Sequence, residues 1–173
     1  MEAPSPSSIK AEGMEIQGIY SMRFEKQITV DTPRQVVWDF LWDVPRLVAC
    51  VPGCDGAEEI EPQKRYQATV KEKVGPFRIT VPLAIEVVEH IAPQRVVARA
   101  SGKDTIVQSH VKVELDVTLV EIGKQTTEVQ MGAEVAVLGK LGTLGHSVIV
   151  RKGNEIIAQF AHALQAALHR EVD

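Results

Sequence analysis

The sequence has 173 residues, of which 45% are hydrophobic and 24% are charged, and its formal net charge is -4. A chain of this length corresponds to one domain and is long enough to bury its own core. Because it is slightly acidic and contains no block of like charges, it lacks the basic face that nucleic-acid binding requires. No stretch is apolar over the ~18 residues that a membrane-spanning helix needs.

The first residues, MEAPSPSSIKAEG, are dominated by proline and serine and have little to bury. We therefore expect residues 1–19 to form a disordered or extended tail, and residues 20–173 to form a single domain. This start contains no apolar segment of the kind found in a signal peptide. The expected location is cytoplasmic.

A strand and two short helices are predicted after the tail. Residues 20–30 alternate as a strand. Asp31 or Thr32 is expected to cap a first helix, because Pro33 suits a first helical turn. A second short helix is predicted to begin at Pro45.

The middle of the chain alternates between apolar and polar residues and predicts strands. Six are expected, at residues 54–60, 65–74, 77–90, 94–101, 106–120 and 125–138. Each has one apolar and one polar face, as in Val111, Val113 and Leu115, so the sheet is predicted to be antiparallel and covered on one side. Pro82 suggests an edge position or a bulge, because proline cannot donate to a ladder.

One amphipathic helix, at about 146–169, is predicted to cover the sheet. A glycine-rich hinge at Gly139, Gly142 and Gly145 precedes it, and Ser147 is the expected N-cap. The glycine spacing fits no nucleotide-binding loop. A single helix leaves space over a seven-stranded sheet unless its neighbours are bulky, and the chain has only four Phe and two Tyr. A cavity is therefore predicted.

This order of elements resembles the START-like, birch-pollen-allergen-like helix-grip superfamily (SRPBCC). Within it, local motifs are similar to the CoxG family of carbon monoxide dehydrogenase subunits over roughly residues 22–169. The matching residues are Val37-Trp38, Asp43-Val44-Pro45-Arg46-Leu47, Cys50-Val51-Pro52-Gly53-Cys54, Tyr66-Gln67-Ala68, Val70, Val74-Gly75-Pro76 and Gly139-Lys140-Leu141-Gly142.

The resemblance implies an α+β helix-grip fold, with a seven-stranded curved antiparallel sheet around a long C-terminal helix and two short helices after the first strand. It also implies binding or transport of a hydrophobic small molecule, lipid-like or quinone-like. The expected role is accessory to a redox enzyme, with possible contact with that enzyme or with a membrane surface.

The bulky apolar residues of the predicted inner face form the candidate ligand cavity, although a plain hydrophobic core explains them equally well. These residues are Trp42, Tyr66, Phe77, Ile79, Leu83, Ile85, Val113, Leu115, Met131, Val135, Ile149, Gly153, Ile156 and Phe160. Glycine inside a helix costs about 1 kcal/mol relative to alanine, so Gly153 suggests close approach of the sheet or of a ligand.

No catalytic residue, metal site or cofactor is predicted. Cys50 and Cys54 are expected to be small, semi-buried thiols, since no further Cys or His stands at zinc-ligand spacing. Asp39 and Asp43 are expected to form surface ion pairs. The alternative functions are a polyketide cyclase-like enzyme and a protein-binding module of the co-chaperone kind. The enzyme needs an ionisable group facing inward, and the inward strand positions contain almost none.

Overall fold

The computed structural model describes residues 13–16 and 19–172, with side chains from 21 to 169. The strands are β1 (Gly13–Ile16), β2 (Ile19–Val30), β3 (Cys54–Glu61), β4 (Arg65–Val74), β5 (Phe77–Ile91), β6 (Arg95–Asp104), β7 (Ser109–Gly123) and β8 (Thr126–Gly139). The helices are α1 (Arg34–Trp42), α2 (Val44–Val48), a 3-10 helix (Lys140–Leu144) and α3 (His146–Val172).

Within these residues, eight strands form one antiparallel sheet in the order β1-β2-β8-β7-β6-β5-β4-β3. The α+β architecture and its seven predicted strands are confirmed, in the predicted order. Strand β1 is an addition, which pairs with β2 at the edge of the sheet. It lies in the segment predicted to be a disordered or extended tail, and residues 1–12 of that segment lie outside the described residues.

Helix α3 packs against the face of the sheet that we call the inner face. The closest approach is to β2, where the ring of Phe24 lies against Gly153. Side chains alternate between the two faces of a strand, and residues paired across neighbouring strands lie on the same face. The pairing of strands therefore identifies the inner-face residues across the whole sheet. Val135 of β8 pairs with Val113 of β7, which pairs with Ala100 of β6, and Ala100 pairs with Ile85 of β5.

Two separate hydrophobic clusters fill the ends of the inner face. The α1-end cluster joins α1 and the last turns of α3 to the sheet, and includes Ile28, Val37, Phe40, Leu119, Val129, Leu164 and Leu168. The hinge-end cluster lies beneath the 3-10 helix and the start of α3, and includes Met22, Phe24, Ile79, Val81, Val137, Leu141 and Ile149. The sheet and α3 are therefore held together mainly at these two ends.

The two predicted helix caps are wrong. Thr32 is fully buried, and its hydroxyl donates to the carbonyl of Leu168 at 3.5 Å, while Pro33 occupies the cap of α1 without a side-chain cap bond. Thr32 thus ties the start of α1 to the last turns of α3. Helix α3 begins at His146, which places Ser147 inside its first turn.

The predicted edge position or bulge at Pro82 is also wrong. Strand β5 lies between β4 and β6, and Pro82 pairs with Thr69 of β4. The ladder to β6 begins only at Ala84, so the missing N–H of Pro82 removes no bond from it. Opposite the proline carbonyl stands Gly102, where a Cβ would lie 2.2 Å from the oxygen of Pro82. Glycine at 102 makes room for proline in an internal strand.

Candidate functional site

The middle of strand β7 is exposed on the inner face, although both ends of the strand are buried there. Ser109 and Leu119 are 4% and 2% exposed, whereas Leu115, which has the same phase, is 41% exposed. Val113 and Val117, on either side of Leu115, are partly buried. An apolar side chain in a central strand, facing the covering helix, is thus left open to solvent.

Strand β8 repeats this pattern beside β7. Val129 and Val137 are buried at the two ends of its inner face, while Ala133 and Val135 between them are only partly buried. Leu115 pairs with Ala133 and Val113 pairs with Val135. The gap between the two clusters therefore crosses neighbouring strands, and we call it the hollow. Its floor is formed by Leu83, Ile85, Ala98, Val113, Leu115, Ala133 and Val135.

The position of α3 explains why the hollow is uncovered. Gly153 brings the helix backbone against the ring of Phe24, where a Cβ would lie 2.3 Å from the ring, so α3 lies low over β2. On the opposite side, Lys152 reaches Glu72 of β4 and forms an ion pair of 2.8 Å. The helix thus bridges β2 and β4, and leaves the middle strands beneath it without close packing.

The Lys152–Glu72 ion pair is well shielded, with side chains 17% and 15% exposed. The hydrogen bond to Glu72 raises the pKa of Lys152, against the desolvation that burial imposes. Glu72 has inner-face phase, because it pairs with Ile79 of β5. This charge pair joins α3 to β4, on the far side of the sheet from β2.

The structure divides the predicted cavity residues into three groups. Leu83, Ile85, Val113, Leu115 and Val135 lie on the floor of the hollow, where Leu83 and Val135 also pack against the hinge-end cluster. The partly buried Ile156 of α3 is in neither cluster of the described residues. Ile79, Met131 and Ile149 are buried within the two clusters, and Phe77 and Phe160 pack against them. Trp42 packs against the α1-end cluster, and Gly153 and Tyr66 each occupy a separate position. Ligand contact by any of these residues stays a prediction.

Tyr66 is buried, and its hydroxyl is used inside the protein. The hydroxyl accepts a hydrogen bond of 2.9 Å from the N–H of Gln63, in the turn between β3 and β4. Burial raises the pKa of the Tyr66 phenol; the Gln63 N–H partly opposes this shift and the charge of Glu59 adds to it. Tyr66 therefore secures the hairpin between β3 and β4.

The expectation that inward positions contain almost no ionisable group is wrong. Lys26 and Glu72 have inner-face phase, since they pair with Met131 and Ile79. His90 reaches this face through a bulge between Val87 and Glu89 that shifts the alternation by one residue, so that His90 pairs with Val96. The sequence pattern of β5 gave no sign of this bulge, whereas Lys26 could have been found from its even spacing with Phe24 and Ile28.

Trp42 packs against the α1-end cluster. Its ring meets Trp38 and His90 edge to face, with centroid distances of 5.7 and 5.6 Å. The Nε1 atom of Trp42 is buried and has no hydrogen-bond partner among the described residues. Since buried donors are nearly always paired in folded proteins, this N–H is an exception that calls for a physical explanation.

A depression of about 710 Å³ opens mainly on the outer face of the sheet, although Tyr66, Ile85, Ala100 and Val113 of the inner-face row also border it. The base of the depression is a row of mostly small residues that crosses the strands. Beside it runs a second row that consists entirely of charged residues and forms a wall. The charged row is Arg23, Glu134, Glu114, Arg99, Glu86 and Arg65. Solvated charges make this depression a poor site for an apolar molecule.

Comparison with known proteins decides the family. Residues 27–169 match the family model for CoxG, a subunit of carbon monoxide dehydrogenase. The chain belongs to the CoxG family. The resemblance seen in the sequence is thereby confirmed. A search of the curated proteins finds no match to this CoxG-family sequence.

Solved structures show that this CoxG-family chain has the START-like fold. A conserved protein from Geobacillus kaustophilus is 20% identical with a TM-score of 0.77, and the match covers 86% of this chain and 95% of that one. A START superfamily protein from Mycobacterium smegmatis is 13% identical with a TM-score of 0.66, covering 86% and 97%. The Zhui aromatase/cyclase from a Streptomyces species is 15% identical with a TM-score of 0.63, covering 88% and 96%. At these identities the likeness establishes the fold alone.

The CoxG-like motif at residues 50–54 has a structural role in this chain. Gly53 has a φ of +77°, and a Cβ there would lie 2.2 Å from the carbonyl oxygen of Lys71. Its own carbonyl accepts a 2.8 Å hydrogen bond from the N–H of Lys71. Glycine is therefore required where the chain leaves α2 and enters β3. Cys50 and Cys54 flank this turn, buried and partly buried respectively.

Two searches of the described residues concern other kinds of site. They contain no group of three or more His, Cys, Asp or Glu side chains arranged to hold a metal ion. Nor do they include any helix whose length and hydrophobicity would let it cross a membrane.

Proposed function

We propose that this CoxG-family protein binds and carries a hydrophobic small molecule, lipid-like or quinone-like, in the hollow between its sheet and α3. The observation that supports this most directly is the exposure of Leu115, an apolar side chain in mid-strand, between two well-packed clusters. A solid core would have buried it as it buries Leu119.

The free energy of binding would come from covering this surface. Apolar burial contributes about 2.5 kcal/mol for each ~100 Å² removed from water. The floor offers aliphatic side chains of three kinds, leucine, isoleucine and valine, together with alanines that leave space above them. Such a site favours large apolar molecules, and binding there needs no covalent chemistry or cofactor. Because the family is described as a subunit of carbon monoxide dehydrogenase, we propose that the cargo is used by a redox enzyme.

A matched pair of variants tests the proposal. Leu115→Gln places an amide on the floor of the hollow, while Ile122→Gln makes the same kind of change on the same strand, at a side chain that is 53% exposed. We expect Leu115→Gln to weaken binding of N-phenyl-1-naphthylamine about tenfold, because a buried amide without a partner costs about 1–3 kcal/mol. Ile122→Gln should bind the probe like the wild type.

Both variants should keep their stability within about 1 kcal/mol, because both side chains are exposed in the free protein. Thermal unfolding provides this control. Unchanged probe affinity in a folded Leu115→Gln protein would contradict the assignment of cargo to the hollow.

An enzyme of the cyclase kind is the second candidate. It is supported by the shared fold of the aromatase/cyclase and by His90, an exposed imidazole that the bulge in β5 brings to the inner face beside Trp42. A carrier returns its cargo chemically unchanged. Conversion of an aromatic polyketide-like compound by the purified protein would instead favour the enzyme.

A further inference from the structure

We infer that the sheet binds a phosphate group on its outer face, in a depression beside the turn between β6 and β7. Lys103 and His110 supply the main donors of this site, and the phosphate belongs to a soluble ester or to a phospholipid headgroup. The site lies at the end of the sheet where the 3-10 helix follows β8, on the opposite face from the hollow. It is therefore independent of the proposed carrier function.

The depression, which we call the turn depression, has a volume of about 400 Å³. Lys103 and His110 are direct cross-strand partners on β6 and β7, and both line it. Thr105 and Gln108 of the turn add a hydroxyl and an amide. A phosphate group accepts hydrogen bonds at several oxygens, so it suits a site that offers cationic and neutral donors together.

Cations collect on the outer face around the turn depression, although the whole chain has a net charge of -4. Strand pairing places there Lys71, Lys73, Arg78, Lys103 and Lys112. No Asp or Glu has outer-face phase in the described strand ends that surround them, residues 67–73, 78–84, 101–103, 110–112 and 136–138. The composition indicated no basic face, but the register of the strands gathers a small one.

Two of these cations face each other without a counter-ion. Lys73 and Arg78 are direct cross-strand partners, and like charges in such positions destabilise a sheet. Lys71 is ion-paired with Asp55, and the other outer-face cations at this end form no ion pair among the described residues. An anion bound from solution relieves this repulsion.

Asp104 is the single carboxylate among the residues that line the turn depression. It is 3% exposed, and its oxygens accept N–H bonds from Thr80 at 2.7 Å and from Ile106 and Val107 at 2.8 Å. These donors offset its charge, and the same bonds fix the shape of the turn. The turn is thus formed before an anion arrives.

The turn also carries an exposed isoleucine beside the cations. Ile106 is 88% exposed, whereas its neighbour Val107 is buried in the hinge-end cluster. On an anionic membrane, cations attract the headgroups while an apolar side chain enters the boundary with the acyl chains. A soluble phosphate ester needs the cations alone. The chemistry of the site is the same for both sources, and Ile106 distinguishes them.

An NMR titration of the intact protein with glycerol phosphate, at low ionic strength, tests the site. Lys103→Gln removes a cation from the turn depression. Lys124→Gln is the matched control, because Lys124 is also exposed and lies in the turn between β7 and β8, at the other end of the sheet. We expect Lys103→Gln to weaken binding about fivefold, as for an exposed charge pair, and Lys124→Gln to change it less than about twofold. Glycerate, in which a carboxylate replaces the phosphate, should bind more weakly to the wild type.

Cosedimentation with phosphatidylglycerol vesicles distinguishes the two sources. If the phosphate belongs to a lipid, we expect Ile106→Gln to weaken vesicle binding about tenfold, because an apolar side chain no longer enters the membrane, and to leave glycerol phosphate binding unchanged. Ile122→Gln, at a 53% exposed side chain near the other end of β7, should bind vesicles like the wild type. If the phosphate is soluble, the vesicles stay unbound and glycerol phosphate still depends on Lys103.

Three results would overturn the phosphate site. They are equal effects of Lys103→Gln and Lys124→Gln, equal affinity for glycerate and glycerol phosphate, and failure of the wild type to bind either glycerol phosphate or the vesicles. Each of these would leave the carrier function standing, because the substituted side chains lie outside the hollow.

Discussion

Asp104 is a buried carboxylate that organises one end of the sheet. It is 3% exposed and accepts backbone N–H bonds from Thr80 at 2.7 Å and from Ile106 and Val107 at 2.8 Å. These hydrogen bonds, chiefly those from Val107 and Thr80, hold its pKa below the ordinary value, against the desolvation that burial imposes. The charged form is thus part of the folded structure.

We predict that Asp104→Asn lowers the free energy of unfolding at pH 7 by about 1–3 kcal/mol, because an amide cannot accept all three bonds. Urea denaturation measures this effect. Asp55→Asn is the control: Asp55 is an exposed partner of Lys71 at 3.1 Å, and its loss should change stability by less than about 1 kcal/mol. Equal stability of the two variants would contradict the role of Asp104.

The same residue predicts a pH dependence. Because the folded pKa of Asp104 is lowered, its stabilisation is complete above the pKa of the unfolded chain, about 3.9. It is lost as the pH falls through the folded value. The difference in stability between the wild type and Asp104→Asn should therefore shrink when the measurement is repeated at about pH 3.

Residues such as Asp104 show what the sequence could not reveal. Beside Gly102 and Lys103 it has the composition of a solvated turn, and nothing in that pattern indicates burial. Its partner Thr80 is 24 residues away. Only the pairing of β5 and β6 brings the carboxylate to that N–H.

At the level of elements, the contact between α3 and β2 is set by one glycine. Gly153 places the helix backbone against Phe24, where a Cβ would lie 2.3 Å from the ring. The sequence predicted a close approach of the sheet or of a ligand at this glycine, and the described contact is with the sheet. The height of α3 over the hollow depends on this contact.

We predict that Gly153→Ala destabilises the protein by about 1 kcal/mol. Alanine in a helix ordinarily gains about 1 kcal/mol, but overpacking costs about 1–3 kcal/mol. In a Phe24→Leu background, where the ring is gone, the same substitution should be neutral or stabilising. Thermal unfolding of the four proteins in this cycle measures the coupling, and the idea fails if Gly153→Ala is stabilising with Phe24 present.

Strand β5 shows how far along the chain the alternation of apolar and polar residues predicts which face a side chain is on. The alternation from Phe77 to Val87 predicted its inner face, and the register confirms it. The bulge that follows then reverses the phase and brings His90 inward. A bulge adds one residue without altering composition. Alternation extrapolated past the bulge therefore assigns each following residue to the wrong face of the sheet.

For the whole molecule, the fold followed from the sequence but the extent of the hollow did not. Alternation identified which side chains face α3, and a single covering helix predicted unfilled space. Which of those side chains stay exposed depends on the distance between α3 and each strand. That distance separates Ile79 and Met131, which are closed within clusters, from Leu115, which is open.

The central claim is that cargo occupies the hollow and not the outer depression. A methyl NMR titration of the intact protein with N-phenyl-1-naphthylamine tests it most directly, because alanine, valine and leucine methyls mark both surfaces. We predict saturable shifts that are largest at Leu115, Ala133 and Val135, none of which lines the outer depression. Shifts centred on Ala84 and Ala136, which line the outer depression, would contradict this claim, as would the absence of any saturable shift.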